Sequence, residues 1–193
     1  MLFKKTMPDR KKQARLLSIL IGICVFLIVL IWVFTFGKNF FFKRYTHFEP
    51  GFTVGYPFDW TYKENVMNTP VIFFSPKDNT LDFFQENLSV VTQNLPPGST
   101  SLKDYSDTAV KQVRAVFEGQ IEILADEDTD LAGRPAHKFE YLAKSPQFTF
   151  HTLHVWTIDG NNTAYQLTYT ALDSSYEKYL PKVRRMIDSF KLK

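Results

Sequence analysis

From Leu16 to Phe36 the chain runs for 21 residues without a charged side chain. Wound as an α-helix at 1.5 Å per residue, that run is about 31 Å long, enough to cross the hydrocarbon core of a bilayer. Lys4, Lys5, Arg10, Lys11, Lys12 and Arg15 precede it, and only Lys38, Lys43 and Arg44 follow closely. The heavier positive flank stays in the cytoplasm, so the rest of the chain is expected outside it. Trp32, Phe40, Phe41 and Phe42 stand where an interfacial aromatic belt belongs. A cleaved secretory signal has a shorter apolar core and a small-residue cleavage site; Gly37-Lys38-Asn39-Phe40 offers none. The expected plan is a cytoplasmic basic tail (1–15), a transmembrane signal anchor (16–36), a juxtamembrane linker (37–50) and one extracytoplasmic domain (51–193).

Charge divides at the same boundary. The whole chain carries +3, but residues 51–193 hold 14 Lys and Arg against 18 Asp and Glu, a net −4. The basic balance thus belongs to the flanks of the anchor, where it meets anionic headgroups, and a nucleic-acid partner is excluded for want of a basic face. The single cysteine, Cys24, lies within the apolar run, so no intramolecular disulfide can form. A domain of this size buries enough surface to fold without disulfide or metal.

Strand signals dominate beyond residue 50. Phe52–Tyr56, Val71–Phe74, Leu88–Thr92, Gln120–Leu124, Ala136–Leu142, Phe148–Ile158 and Thr163–Thr170 are apolar or alternating runs bounded by Pro, Gly, Asn and Asp. Asp159-Gly160-Asn161-Asn162 joins the last two as a hairpin. Two helices interrupt them. Leu102, Tyr105, Ala109, Val113 and Val116 share one helical face behind a Ser101/Asp104 cap. At the C-terminus Tyr176, Tyr179, Leu180, Val183, Ile187 and Phe190 also recur at helical spacing. Pro181 predicts an irregular turn over 173–180 and a helix that begins at the proline. The fold class is therefore α+β, an antiparallel sheet covered by helices.

Three stretches carry a family resemblance: Gly51-Phe52-Thr53-Val54-Gly55-Tyr56-Pro57-Phe58-Asp59-Trp60, Leu131-Ala132-Gly133-Arg134-Pro135-Ala136-His137-Lys138-Phe139-Glu140-Tyr141, and Ala164–Ala171 with the closing Met186-Ile187-Asp188-Ser189-Phe190. In that order they resemble the PsbP family of photosystem II extrinsic proteins. The resemblance implies a PsbP-like α-β-α sandwich around a central antiparallel sheet. It also implies a non-catalytic role at a membrane complex, photosystem II where the host is photosynthetic. A shared fold does not fix a shared task, and family members differ in theirs.

Candidate sites are few. Asp126, Asp128 and Asp130 fall on one side of an extended Asp126–Asp130 segment, the oxygen-rich edge that calcium accepts, and are the calcium candidates. The favoured reading of the segment is a solvated hairpin between two strands that binds no metal. His151 and His154, three apart on a strand, point to opposite faces and cannot readily share one ion. No Ser/His/Asp order and no phosphate-binding glycine loop stands out, so no catalytic residue is assigned and no cofactor beyond calcium is considered. Trp60 and Trp156 are read as core. The expected function is a non-catalytic, membrane-tethered binding or assembly module whose partners are the lipid bilayer and a membrane or envelope protein. The alternative is an envelope ligand-binding sensor or hydrolase with a pocket between sheet and helices.

Overall fold

The computed structural model describes residues 20–28, 41–80, 82–96, 101–118 and 120–193. Two compact units are separated between Phe41 and Phe42. In the first, residues 20–28 are helical (α1), and Leu20, Ile21, Ile23, Val25, Phe26, Leu27 and Ile28 are each at least half exposed. The remainder of the span expected over Leu16–Phe36 lies outside the described residues. Among those described, no helix is long and apolar enough to cross a membrane.

The second unit is α+β. Its elements are β1 (Phe42–Phe48), β2 (Gly51–Pro57), β3 (Thr61–Val66), β4 (Thr69–Phe74), β5 (Asn87–Asn94), α2 (Leu102–Val116), β6 (Ile121–Leu131), β7 (Arg134–Lys144), β8 (Thr149–Ile158), β9 (Thr163–Leu172), α3 (Asp173–Asp188) and β10 (Lys191–Leu192). One antiparallel sheet has seven strands in the order β3-β4-β5-β9-β8-β7-β6, and a second has three in the order β1-β2-β10. The expected single central sheet is thus two sheets. On one face of the large sheet, Val71, Phe73, Leu88, Val90, Leu167 and Tyr169 pack with Phe52 and Val54 of β2 and with Tyr176, Val183 and Met186 of α3. On the other, Phe139, Tyr141, Ala143 and Trp156 pack against Leu102, Tyr105, Val110 and Val113 of α2. Strand β8 has a helix over each face and is buried from His151 to Thr157, so its sequence reads as a continuous run rather than an alternating one.

All seven expected strands are present. The three that sequence does not announce lack an alternating apolar face. Only Tyr45 of β1 is fully buried, β3 is exposed along almost its whole length, and β10 is two residues long. Edge strand β3 carries Lys63 and Glu64, side chains that blunt an open edge. The stretch 37–50 expected as linker is strand from Phe42 to Phe48, paired in register with Gly51–Pro57, so the sheet begins before the expected boundary at Gly51.

Helix α2 starts as expected: the Ser101 hydroxyl accepts the Asp104 N–H at 3.1 Å. Helix α3 departs from expectation. It runs unbroken from Asp173 with Pro181 inside it. The proline removes one backbone donor, but Tyr176, Tyr179 and Leu180 before it and Val183 and Met186 after it are all buried, and that packing holds both halves on one axis. At the β8–β9 hairpin the left-handed residue is Asn162 (φ 58°) rather than Gly160, and the Asp159 carboxylate accepts the N–H groups of Asn161 and Thr163.

Candidate binding cleft

Between α2 and the large sheet lies a cleft of about 560 Å³. Gln93 of β5, His154 and Trp156 of β8 and Gln166 of β9 form its floor, and Tyr105, Ala109, Val113 and Phe117 of α2 form its wall. The strand register explains the floor: His154 pairs with Thr168 and Trp156 with Gln166, so the four side chains lie on one face. One buried contact ties the helix to the sheet. The Trp156 indole N–H donates to Ser106 Oγ at 2.8 Å, and that hydroxyl donates to the Leu102 carbonyl at 2.8 Å. Ser106 is the one fully buried residue of α2. At the rim of the cleft, Val116 near the C-terminal end of the helix is 76% exposed.

His154 is the titratable group of the floor. Burial lowers its pKa to about 4. Its Nδ1 accepts from the Gln166 amide at 2.8 Å and lies 2.9 Å from Thr168 Oγ1, while Nε2 faces the Tyr141 hydroxyl at 3.5 Å. An imidazole so held is neutral at any physiological pH and a poor proton acceptor, because a general base works best with a pKa near the working pH. Burial also raises the pKa of Tyr105 and Tyr141. The cleft therefore offers aromatic surface, the amides of Gln93, Gln112 and Gln166, and a neutral imidazole, groups that bind and orient without moving protons.

The opposite face holds the second histidine. His151 Nε2 lies 2.9 Å from Glu140 Oε1 and its Nδ1 3.3 Å from Asp173 Oδ1. Its ring stacks on Tyr176, whose hydroxyl donates to Glu140 Oε1 at 2.8 Å. The arrangement resembles part of a catalytic relay, but burial first and the Glu140 hydrogen bond second raise the Tyr176 pKa, the wrong direction for a nucleophile or base. The two histidines are on opposite faces, as their spacing requires.

Asp126, Asp128 and Asp130 are on β6, so the segment expected as a hairpin is strand, and the turn comes later at Ala132-Gly133. A bulge between Ile123 and Ala125 shifts the register, so Ile123 and Asp126 both turn toward the face that carries α2. His137 gathers two of the acids: Nε2 lies 2.9 Å from Asp126 Oδ1 and Nδ1 3.3 Å from Asp128 Oδ1. Its ring stacks on Trp156. Asp130 pairs instead opposite Pro135. Carboxylates at alternate positions of a strand are spaced by about 7 Å, so the outer two stand roughly 13 Å apart, whereas the oxygens of a calcium site all lie within about 2.6 Å of the ion. Among the described residues no three of His, Cys, Asp and Glu are grouped to hold a metal ion.

The sequence alone points to Tyr105 only as part of an apolar helix face, and does not bring Gln93 and Gln166 together with it, nor Glu140, Asp173 and Tyr176 together at His151. Each depends on strand register or on where a helix lands, and no local pattern carries either.

An α+β domain with a helix on each face of a seven-stranded antiparallel sheet, and a three-stranded sheet packed beside one of them, defines a fold that known proteins share. The PsbP family profile matches residues 41–192, from the start of β1 to the end of β10, and the chain belongs to the PsbP family. It is 25% identical over 144 residues to "PsbP-like protein 1, chloroplastic" of Arabidopsis thaliana, a match that takes in 71% of this chain and 58% of the relative's length. Two solved structures share the fold. The cyanobacterial PsbP (CyanoP) of Synechocystis sp. PCC 6803 aligns with TM-score 0.57 at 18% identity over 79% of this chain and 92% of that one. LpqN of Mycobacterium tuberculosis, described as involved in cell envelope biogenesis, aligns with TM-score 0.60 at 10% identity over 78% and 91%.

Proposed function

We propose that this protein is a membrane-tethered, non-catalytic PsbP-like binding module that acts on a membrane or envelope protein complex through the cleft between α2 and the large sheet. One observation carries the reading: the cleft is lined by aromatic rings, three amides and a histidine held neutral, with no proton-transfer group tuned to working pH. The tether is the uncharged run Leu16–Phe36. Its described part is a helix apolar on all sides, with every large side chain at least half exposed, which suits lipid better than water. The distribution of positive charge supports a cytoplasmic N-terminus with the domain outside the cytoplasm. Where the host is photosynthetic, photosystem II is the complex that membership of the PsbP family suggests. No cofactor is required for this role.

The second reading, a ligand sensor, draws on the same cleft, whose volume falls in the range that small-molecule sites occupy. Affinity capture of the detergent-solubilised full chain, followed by mass spectrometry, separates the two. A membrane protein should be captured by the wild type and lost with Val116→Glu, a change at an exposed rim position that leaves the core untouched. A tightly held small molecule with no protein partner would overturn the first reading in favour of the second.

A further inference from the structure

Two exposed aromatic side chains of the domain, Phe83 and Phe148, meet at one end of the large sheet. Strand register fixes which end. Phe74 pairs with Asn87, Asn87 with Thr170 and Phe150 with Leu172, so the β4–β5 connection, the β7–β8 turn and the start of α3 all lie at that end. Phe83, in the β4–β5 connection, is 65% exposed and its ring packs, tilted by 39°, at 4.6 Å from that of Phe148, itself 38% exposed, in the β7–β8 turn. Phe84 and Phe150 form a second ring pair beside them, at 5.1 Å. The connection that carries these rings is pinned. The buried Glu86 carboxylate accepts from the Ser75 and Ser175 hydroxyls, and Asp78 accepts from Lys178 and, at 2.7 Å, from Tyr179. A phenylalanine held in water on a fastened loop, with exposed Phe148 against it, needs a reason, because fastening prevents Phe83 from folding back onto the core.

Strand β1 begins at this same end. Phe42 pairs with Pro57, and β3 follows β2 to bring Thr61 opposite Phe74. The opposite end has a polar turn at Asp159–Asn162 and a turn of small residues at Ala132-Gly133. Its exposed apolar groups are Met67 and Phe48, the latter beneath the Lys193 ammonium. Only six residue steps separate Phe36, the last residue of the uncharged run, from Phe42, a reach of about 20 Å at full extension. The ten residues of β8 put the two ends of the sheet about 34 Å apart. A chain anchored at Phe36 cannot carry the β1 end further from the bilayer than that short tether allows.

We infer that this end of the domain lies on the lipid surface, with Phe83 and Phe148 entering the interfacial layer. The inference rests on the membrane tether proposed above. At this end Lys144 is paired with Glu122 and Lys178 with Asp78, so apolar insertion rather than attraction to anionic headgroups holds the end in place. The contact orients the domain and leaves the α2 cleft facing sideways along the membrane, toward neighbouring membrane proteins.

The test uses the full chain in a Cys24→Ser background, reconstituted into phosphatidylcholine vesicles that contain a headgroup-proximal nitroxide lipid. Single cysteines replacing Phe83, Phe148, Met67 or Ile28 carry an environment-sensitive fluorophore. Labels at 83 and 148 should be quenched several-fold more strongly than the label at 67, and each of the two is an independent reading should the other variant fold poorly. Quenching at 83 and 148 no greater than at 67, with the protein floating with the vesicles and the label at 28 shielded from an aqueous quencher, would overturn the lipid contact and leave the tether standing. A protein that does not float, with the label at 28 open to the aqueous quencher, would overturn the tether and this inference together.

Discussion

His154 ties the chemistry of the cleft to the stability of the domain. Burial lowers its pKa from 6.5 in the unfolded chain to about 4 in the folded one. The unfolded state therefore binds the proton first, and the stability due to the neutral buried ring is fully present above pH 6.5. It is lost progressively as pH falls from about 6.5 through 4, a loss of roughly 3 kcal/mol for that shift. Denaturant melts at pH 7, 6, 5 and 4.5 should show the decline, and His154→Gln should flatten this part of it; an unchanged slope in the variant would place the titration elsewhere. The acidic residues of β6 allow a second test. With Asp126 and Asp128 turned onto His137 and Asp130 apart from them, adding calcium should leave the melting temperature unchanged, since only a ligand of the folded state raises it. A rise abolished by Asp126→Asn would contradict that geometry. Much at this scale was legible: the opposed histidines, the Ser101 cap and the buried Trp60 and Trp156 all follow from period or chemistry. The partners of each histidine were not, because cross-strand neighbours are set by register and a single bulge between Ile123 and Ala125 changes which acids face α2.

At the scale of elements, Pro181 shows where a local rule yields to packing. Read locally, a proline ends or begins a helix; here five buried side chains on both sides of it outweigh the lost hydrogen bond. Pro181 itself is exposed, so its ring contributes no core contact. Replacing it with alanine should restore the backbone bond to the Glu177 carbonyl and stabilise the domain by about 1–3 kcal/mol, read as a rise in the denaturant midpoint at constant slope. A loss of stability would mean that the helix bends around the proline and needs the bend. The same competition explains the strands that sequence alone does not announce. β1 and β3 bury one residue between them, so no alternation marks them; the partner strand and the Met67-Asn68 turn, both at positive φ, create them. The strands with a buried face, from β4 to β9, were all legible, β6 and β8 begun one residue early and most other boundaries short by one to several residues where charged or polar side chains continue the ladder.

For the whole molecule, the decisive boundary is where the domain begins. Composition placed it at Gly51, after a Pro-Gly pair, whereas β1 and the family match both begin near residue 41. The difference matters because β1 is one of only two partners of β2, and the other, β10, covers just Thr53 and Phe52. Tyr45 of β1 is buried against Phe52 and Phe73 and donates to Glu64 at 2.6 Å, which links the small sheet to the edge of the large one. A fragment of residues 41–193 contains every strand and helix of the domain and both hydrophobic clusters, and should be a soluble, cooperatively unfolding monomer with near-ultraviolet signal from Trp60 and Trp156. A fragment that begins at Glu49 should lose several kcal/mol, through the opened cavity at Tyr45 and the unpaired edge of β2, and should tend to self-associate along that edge. Equal midpoints for the two fragments would show that β1 is dispensable and that the fold closes at Gly51 after all. If the longer fragment were itself molten in water yet ordered on vesicles, the domain would depend on its membrane contact for folding as well as for orientation.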